Sequence, residues 1–468
     1  MRCRFVLRFL VTGVSSVTFG SGCFSQPSPD VTPNLSSGTT DAAASASAGP
    51  RGCAVDGGAP AIAPGGYYVN GAQVCTADGQ PHLFHGVDRP SLEWSPVGES
   101  ISAADFQQMA SWHANTVRIA TNQDFWLSGA ALYDPDYRST IQNAVTWAEQ
   151  AGLDVILDLH WSDRGNLNIT MAGGNLPSGA QANDTVGYDN QQPMADVNSL
   201  EYWKEVAATF QNDGHVLFEL YNEPNDVSWG IWLNGGKYQE YQVVGMQQLY
   251  DAVRATGANN LVVVGGLNWA FDLSGVAQYP VIGYNVLYAT HPYKGKSNWS
   301  TAFEYLSTGN IAPVIATEFG DSTQNCTGAW DQSLIAAAAE PTLQISWTAW
   351  AWYDGYPCSF PSLISDFSSY TPTVQGQVVY DALTSDPAPQ SWIDSGVTGG
   401  SLDSSVGDEG SDSATTETDA GTTGTDAGGA EADSGDAATP VDGLAPDQAS
   451  TLQADAGPDA PADAATTD

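Results

Sequence analysis

The sequence predicts an α/β fold, a (β/α)8 barrel, and three observations carry that expectation. Between about Gly66 and Trp392, short apolar runs alternate with helical patterns, as βα units around a parallel sheet do. Eight such runs can be counted, the number that a closed barrel of this kind needs. Several of them end in polar or aromatic residues, where a barrel's C-terminal strand ends would carry its functional groups. No GxGxxG or P-loop pattern follows the first run, so a nucleotide-binding sheet has no support.

In chain order the expected strands are Leu83 to Val87, Thr116 to Ala120, Asp154 to Leu159 and Val216 to Tyr221, then Leu261 to Gly265, Val286 to Thr290, Val314 to Thr317 and Gln344 to Ala349. Each is short, apolar and rich in β-branched or aromatic side chains. Helices are expected between them. Ile141, Ala144, Val145 and Ala148 share one face at helical spacing, as do Tyr202, Val206, Ala207 and Phe210.

Composition bounds the rest of the chain. Residues 396–468 hold sixteen acids, no Lys or Arg and no aromatic, and so cannot bury enough apolar surface to offset the entropy of ordering; they read as a disordered acidic tail. Without those sixteen charges the formal net charge of -40 becomes about -24, which disfavours nucleic acid and anionic membranes as partners. Residues 1–23 read as an export signal, with Arg2, Arg4 and Arg8 ahead of a largely apolar stretch too short to span a bilayer. It ends in Gly20-Ser-Gly-Cys23, similar to a bacterial lipoprotein cleavage site except that Gly20 stands where Leu is usual. Two readings stand: lipidation at Cys23, giving a cell-surface protein, or ordinary secretion. Residues 24–52, rich in Ser, Pro, Thr and Ala, are expected to form a linker, leaving 53–395 as the barrel domain.

In an oxidising compartment Cys53, Cys75, Cys326 and Cys358 allow three pairings. Cys53 with Cys75 and Cys326 with Cys358 is favoured, because each pair closes a modest loop near one end of the folded region. No CxxC or Cys/His cluster supports a metal site instead.

The strongest chemical signal is the pair of strands His215-Val-Leu-Phe-Glu-Leu-Tyr-Asn-Glu-Pro224 and Ala312-Pro-Val-Ile-Ala-Thr-Glu-Phe-Gly320. Each presents a carboxylate at its end, Glu223 and Glu318, and two such acids are the groups that glycosidic bond cleavage needs. Asn222, just before Glu223, could hold a sugar 2-hydroxyl. Tyr293 would hydrogen-bond Glu318 and Arg118 would favour its ionised form. Asp158 and Glu219, inside their strands, are expected to support these groups rather than react.

Together these residues resemble glycoside hydrolase family 5, the cellulase family, over roughly residues 66–390. The motifs that carry the resemblance are Leu220-Tyr-Asn-Glu-Pro224 and Ala316-Thr-Glu-Phe-Gly320, with Arg118, His160, Asn222, Glu223, His291, Tyr293, Glu318 and Trp352 at the family's active-site positions. The resemblance implies that Glu223 is the acid/base and Glu318 the nucleophile, that His160 and His291 shape the site, and that Trp352 is the stacking floor for the reacting sugar. The Gly, Asn and Gln-rich insertion from Arg164 to Asp196 fits no one subfamily, which leaves the polymer open.

Aromatic faces stack on pyranose rings, and among fifteen tryptophans Trp161 and Trp269 join Trp352 as substrate-binding candidates, while Trp112, Trp147 and Trp203 are expected in the core. The expected function is retaining endo-hydrolysis of a β-1,4-glucan by a monomer, with no cofactor required. The rivals are another β-glycan, such as mannan, xyloglucan or β-1,3-glucan, a glycolipid, and an inactive carbohydrate-binding barrel. No GxSxG or HExxH supports an esterase or peptidase. A structural calcium ion among the loop Asp and Asn residues stays open.

Overall fold

The computed structural model of the protein describes residues 60–168, 192–239, 241–323, 326–354 and 360–385, the single positions Cys53, Gly58 and Cys358, and two short strands at Thr170–Met171 and Thr185–Val186. The export signal, Cys23, the linker, the acidic tail and most of the insertion lie outside the described residues.

Eight parallel strands close into a barrel in sequence order. They are His85–Arg89, Thr116–Asn122, Asp154–Trp161, Val216–Glu219, Val262–Gly265, Val286–Thr290, Val314–Ala316 and Ser346–Ala349. Closure is made where Trp347 pairs with His85. The first two strands approach closely at Gly86, where a Cβ would meet the Thr116 carbonyl oxygen at 1.7 Å, so only glycine fits.

Strand parity divides the core in two. Phe84, Ile156, Leu217, Val263, Leu287, Ala289 and Ile315 fill the barrel interior, where Tyr67 and Val74 pack onto them. Val155 and Leu157, on the opposite face of their strand, join the larger layer between sheet and helices. Both helical faces read from the sequence are buried in that layer, on Tyr137–Gln150 and Val197–Phe210. Asp196 caps the second of these helices through the Asn198 N–H at 2.8 Å. Trp112 and Trp203 lie in the core and Trp147 packs against it.

Tyr67 and Val74 belong to an antiparallel meander of Tyr67–Asn70, Gln73–Thr76 and Pro81–His82, which plugs the end of the barrel where the strands begin. The Tyr67 hydroxyl donates to Asp154 at the start of the third barrel strand, 2.8 Å from Oδ2, and His215 Nδ1 meets Oδ1 of the same carboxylate at 2.8 Å. The structure bonds Cys53 to Cys75, within this meander, and Cys326 to Cys358. The second bond joins the loop after the seventh strand to the loop after the eighth.

One connection departs from the expected alternation. Residues 266–285, between the fifth and sixth strands, form no helix; bridges Gly266 to Ala270 and Leu267 to Asp272 fold them into a tight loop. Gly266, Gly275, Pro280 and Gly283 interrupt any helical run there. Asn268, Trp269 and Ala270 all have φ between 54° and 59°, a left-handed bend that non-glycine residues adopt only when held.

Candidate active site

The strands turn their C-terminal ends to one mouth of the barrel, and Arg118 lies buried at its centre. Its Nε donates to Glu219 Oε2 at 2.6 Å, Nη1 to Glu318 Oε1 at 2.7 Å, and Nη2 to Asn222 Oδ1 at 2.7 Å. Asp158 Oδ2 lies 3.0 Å from Nη2, and Asp88 Oδ1 lies 3.5 Å from Nη1. Burial opposes the charge of Arg118, yet Asp158, Glu219, Glu318 and Asp88 together hold its pKa well above the usual value. One cation cannot balance so many buried carboxylates. Burial accordingly raises Asp88 well above the usual range and Asp158 to about 7.

Glu318 follows the seventh strand and is held on both oxygens. Arg118 takes Oε1, and the Tyr293 hydroxyl donates to Oε2 at 2.8 Å. Glu223 follows the fourth strand, with Oε1 3.0 Å from His291 Nδ1. The same nitrogen is 3.6 Å from Glu318 Oε2, and one carboxylate oxygen from each acid lies within 4.8 Å of the other and of the ring. His291 Nε2 meets Thr317 Oγ1 at 3.1 Å, and burial pushes the His291 pKa down to about 4. His160, also lowered to about 4 by burial, meets Asp158 through Nδ1 at 2.7 Å and Asn222 Nδ2 through Nε2 at 3.3 Å.

Arg118, His160, Asn222, Glu223, His291, Tyr293 and Glu318, seven residues from five separate stretches of sequence, thus meet at one place. Asp158 and Glu219 face inward and touch Arg118. Two tryptophans need correction. Trp352 is fully buried, donates Nε1–H to Asp105 at 2.7 Å and packs on Trp112 and Tyr370, so it cannot be a floor for sugar. Trp350, 8% exposed, lies at the site instead, stacked on His160 with ring centres 5.7 Å apart. The signal was present in strand parity: Thr348 turns inward to Asp88 and Thr317, and Trp350 continues that face, whereas the chain has left the strand by Trp352. Trp161 points to the opposite face from His160 and is 4% exposed in a small cluster with Trp94 and Leu132, so it presents no open ring.

Trp269 is 42% exposed, and its backbone N–H donates to the carbonyl of Pro224, the residue after Glu223, at 3.1 Å. Lys296, unremarked in the sequence, braces the same loop with Nζ 3.3 Å from both oxygens of Asn268, and feels the charge of Glu223. Two tryptophans thus border the residues of the carboxylate pair, Trp350 against His160 and the exposed Trp269 bonded to Pro224.

Comparison with known proteins adds an independent finding. The family model described as Cellulase (glycosyl hydrolase family 5) matches residues 75–355. An endoglucanase of Clostridium saccharobutylicum is 25% identical over 293 residues, covering 61% of this chain and 56% of that protein. Cellulase CelDZ1 of a Thermoanaerobacterium species is 24% identical, covering 58% of this chain and 66% of that protein. The chain thus spans between a half and two thirds of the length of these curated relatives. Among solved structures, β-glucanase SdGluc5_26A of Saccharophagus degradans superposes with a TM-score of 0.52 at 22% identity, covering 68% of this chain and 93% of that one. The catalytic domain of Thermobifida fusca endoglucanase Cel5A gives 0.51 at 20%, covering 68% and 97%. At these identities the solved structures support the barrel fold.

Proposed function

Because the chain belongs to the cellulase family, glycosyl hydrolase family 5, we propose that it is an exported glycosidase that cleaves β-1,4-glucan within the chain with retention of anomeric configuration. The observation that carries this reading is the spacing and unequal surroundings of the two carboxylates. Oxygens of Glu223 and Glu318 approach within 4.8 Å. Retaining enzymes place their carboxyl groups about 5 to 5.5 Å apart, and inverting ones leave about 6.5 to 9.5 Å for a water.

The surroundings support a division of roles. Two donors, Arg118 and Tyr293, bind one oxygen each of Glu318 and aim it, which suits a nucleophile. Glu223 is half-buried and faces a neutral imidazole instead, which suits an acid. In the first step Glu318 bonds to the anomeric carbon as the C–O bond to the leaving sugar breaks, and Glu223 gives its proton to the departing oxygen. In the second, Glu223 takes a proton from water, whose oxygen displaces Glu318. Trp350 would stack on a sugar beside His160, and Trp269 on one beyond Glu223.

A β-glucan is favoured by the names of the relatives and by neighbours whose structures hold cellotetraose. Export is supported by the basic and apolar N-terminal sequence and by two disulfides. The test is release of reducing ends from carboxymethylcellulose, glucomannan, xyloglucan and β-1,3-glucan by the full chain and by its Glu223→Gln and Glu318→Gln variants. Activity on the first substrate that falls at least about 100-fold in both variants is expected. Activity confined to mannan would change the substrate, and activity surviving either substitution would remove the two-carboxylate mechanism.

A further inference from the structure

A hydrogen-bonded chain runs from the centre of the barrel to the acid, and its polarity can be read bond by bond. Glu219 Oε2 accepts from Arg118 Nε at 2.6 Å, which leaves Oε1 to accept from the Thr317 hydroxyl at 2.8 Å. Thr317 has one hydrogen. With that hydrogen on Glu219, the 3.1 Å contact between Thr317 Oγ1 and His291 Nε2 forms only if Nε2 carries the ring proton. A neutral imidazole has one N–H, so Nδ1 is then bare, 3.0 Å from Glu223 Oε1. A bare nitrogen can bond to a carboxyl only by accepting its proton.

We infer that Glu219 and Thr317 are positioning residues that fix His291 in its Nε2–H tautomer, and that the resulting acceptor at Nδ1 keeps Glu223 protonated and ready to act as an acid. This rests on the assignment of Glu223 as acid/base. The same geometry serves the return step: after Glu223 has given up its proton, its Oε1 faces the Nδ1 lone pair of His291, which strengthens it as a base toward water. The reverse polarity would need a protonated Glu219 donating to Thr317, Thr317 to Nε2, and Nδ1–H to an ionised Glu223. Burial raises the pKa of Glu219 and so leans toward that state, while Arg118, whose Nε donates to Oε2 at 2.6 Å, opposes it; the tautomer of His291 is what distinguishes the two polarities.

Several charged and titratable groups face the pair, Tyr293 among them. Glu318, Arg118, Glu219 and His160 act on His291, while Asp158, Lys296 and His160 feel Glu223. Burial keeps His291 neutral above a pKa of about 4, so the tautomer and not the charge of the ring is what matters near neutral pH.

The chain holds six histidines, so nitrogen NMR of the full protein labelled in histidine, with His291 assigned by its loss in a His291→Asn variant, reads the tautomer without substrate. The expected result is an Nε2–H ring at pH 7, and an Nδ1–H ring overturns the proposal. The second readout is the basic limb of kcat/KM against pH, which reports the acid. Thr317→Val is expected to move that limb down by about one pH unit, the size of one hydrogen bond, and Thr317→Ser to restore it. A Thr317→Val enzyme equally impaired at every pH, with its limb unmoved, overturns the proposal. Full activity in Glu223→Gln would instead overturn the assignment of the acid, a result that the substrate-free tautomer measurement does not depend on.

Discussion

Tyr293 donates its phenolic hydrogen to Oε2 of Glu318 at 2.8 Å, across from Arg118 at 2.7 Å on Oε1. The two donors come from the second strand and from the loop after the sixth and approach different oxygens, so the carboxylate cannot rotate freely. A hydrogen bond to a charged group contributes about 1.5 to 3 kcal/mol, which corresponds to about 10 to 150-fold in rate where it is needed in the transition state. Tyr293→Phe should therefore lower kcat by that order with little change in melting temperature. Unchanged kcat on the preferred glucan would mean that the phenol does not orient the reacting group.

Trp269 and Trp352 should respond in opposite ways. Trp269 is exposed on a braced loop, so Trp269→Ala should raise KM several-fold, by about 0.5 to 1.5 kcal/mol of lost stacking, and leave stability nearly unchanged. Trp352 is buried, so Trp352→Ala should cost about 3 to 5 kcal/mol in chemical denaturation. A Trp352→Ala protein of full stability with a raised KM would contradict the packing described.

Glu149, on the helix Tyr137–Gln150, has its pKa raised to about 9 by burial and by the neighbouring carboxyl of Asp213. The folded protein thus keeps a proton that the unfolded chain loses near 4.5, and stability falls as pH rises between those values. Glu149→Gln copies the protonated form and removes the penalty. It should raise the melting temperature at pH 7 to 8 and change it little at pH 4. An equal shift at both values would show that the carboxyl pair is not the cause.

The Cys326 to Cys358 disulfide closes a 32-residue separation and ties the loop beyond Glu318 to the one beyond Trp350. Loop-closure entropy gives about 3 to 4 kcal/mol for a loop of this size. Replacing both cysteines with serine should lower stability by up to that amount and weaken substrate binding by loosening the wall that carries Trp350. Equal denaturation midpoints for the two proteins would remove the bond from the stability of the barrel.

The sequence was most legible where periodicity and chemistry reinforce each other. All eight strands lie within a few residues of their expected positions, because β-branched runs bounded by polar ends have few other solutions. The missing fifth helix is legible too, in Gly266, Gly275, Pro280 and Gly283, which interrupt any helical run there. Trp352 illustrates the limit. Its place in Trp-Ala-Trp-Tyr looked equivalent to that of Trp350, and only the departure of the chain from the strand after Ala349 separates a ring against His160 from one against Asp105.

What the sequence determined by itself was the barrel, the strand-end acids Glu223 and Glu318 and the inventory of polar groups around them. These follow from local pattern, since each strand carries its own apolar face and its own terminal residue. The tertiary structure decided which of those groups touch. Glu219 and Thr317 are 98 positions apart, yet lie on strands whose inward faces meet across the barrel interior at 2.8 Å. Hydrogen-bond direction depends on such meetings, and no spacing along a chain encodes where two strands converge in space.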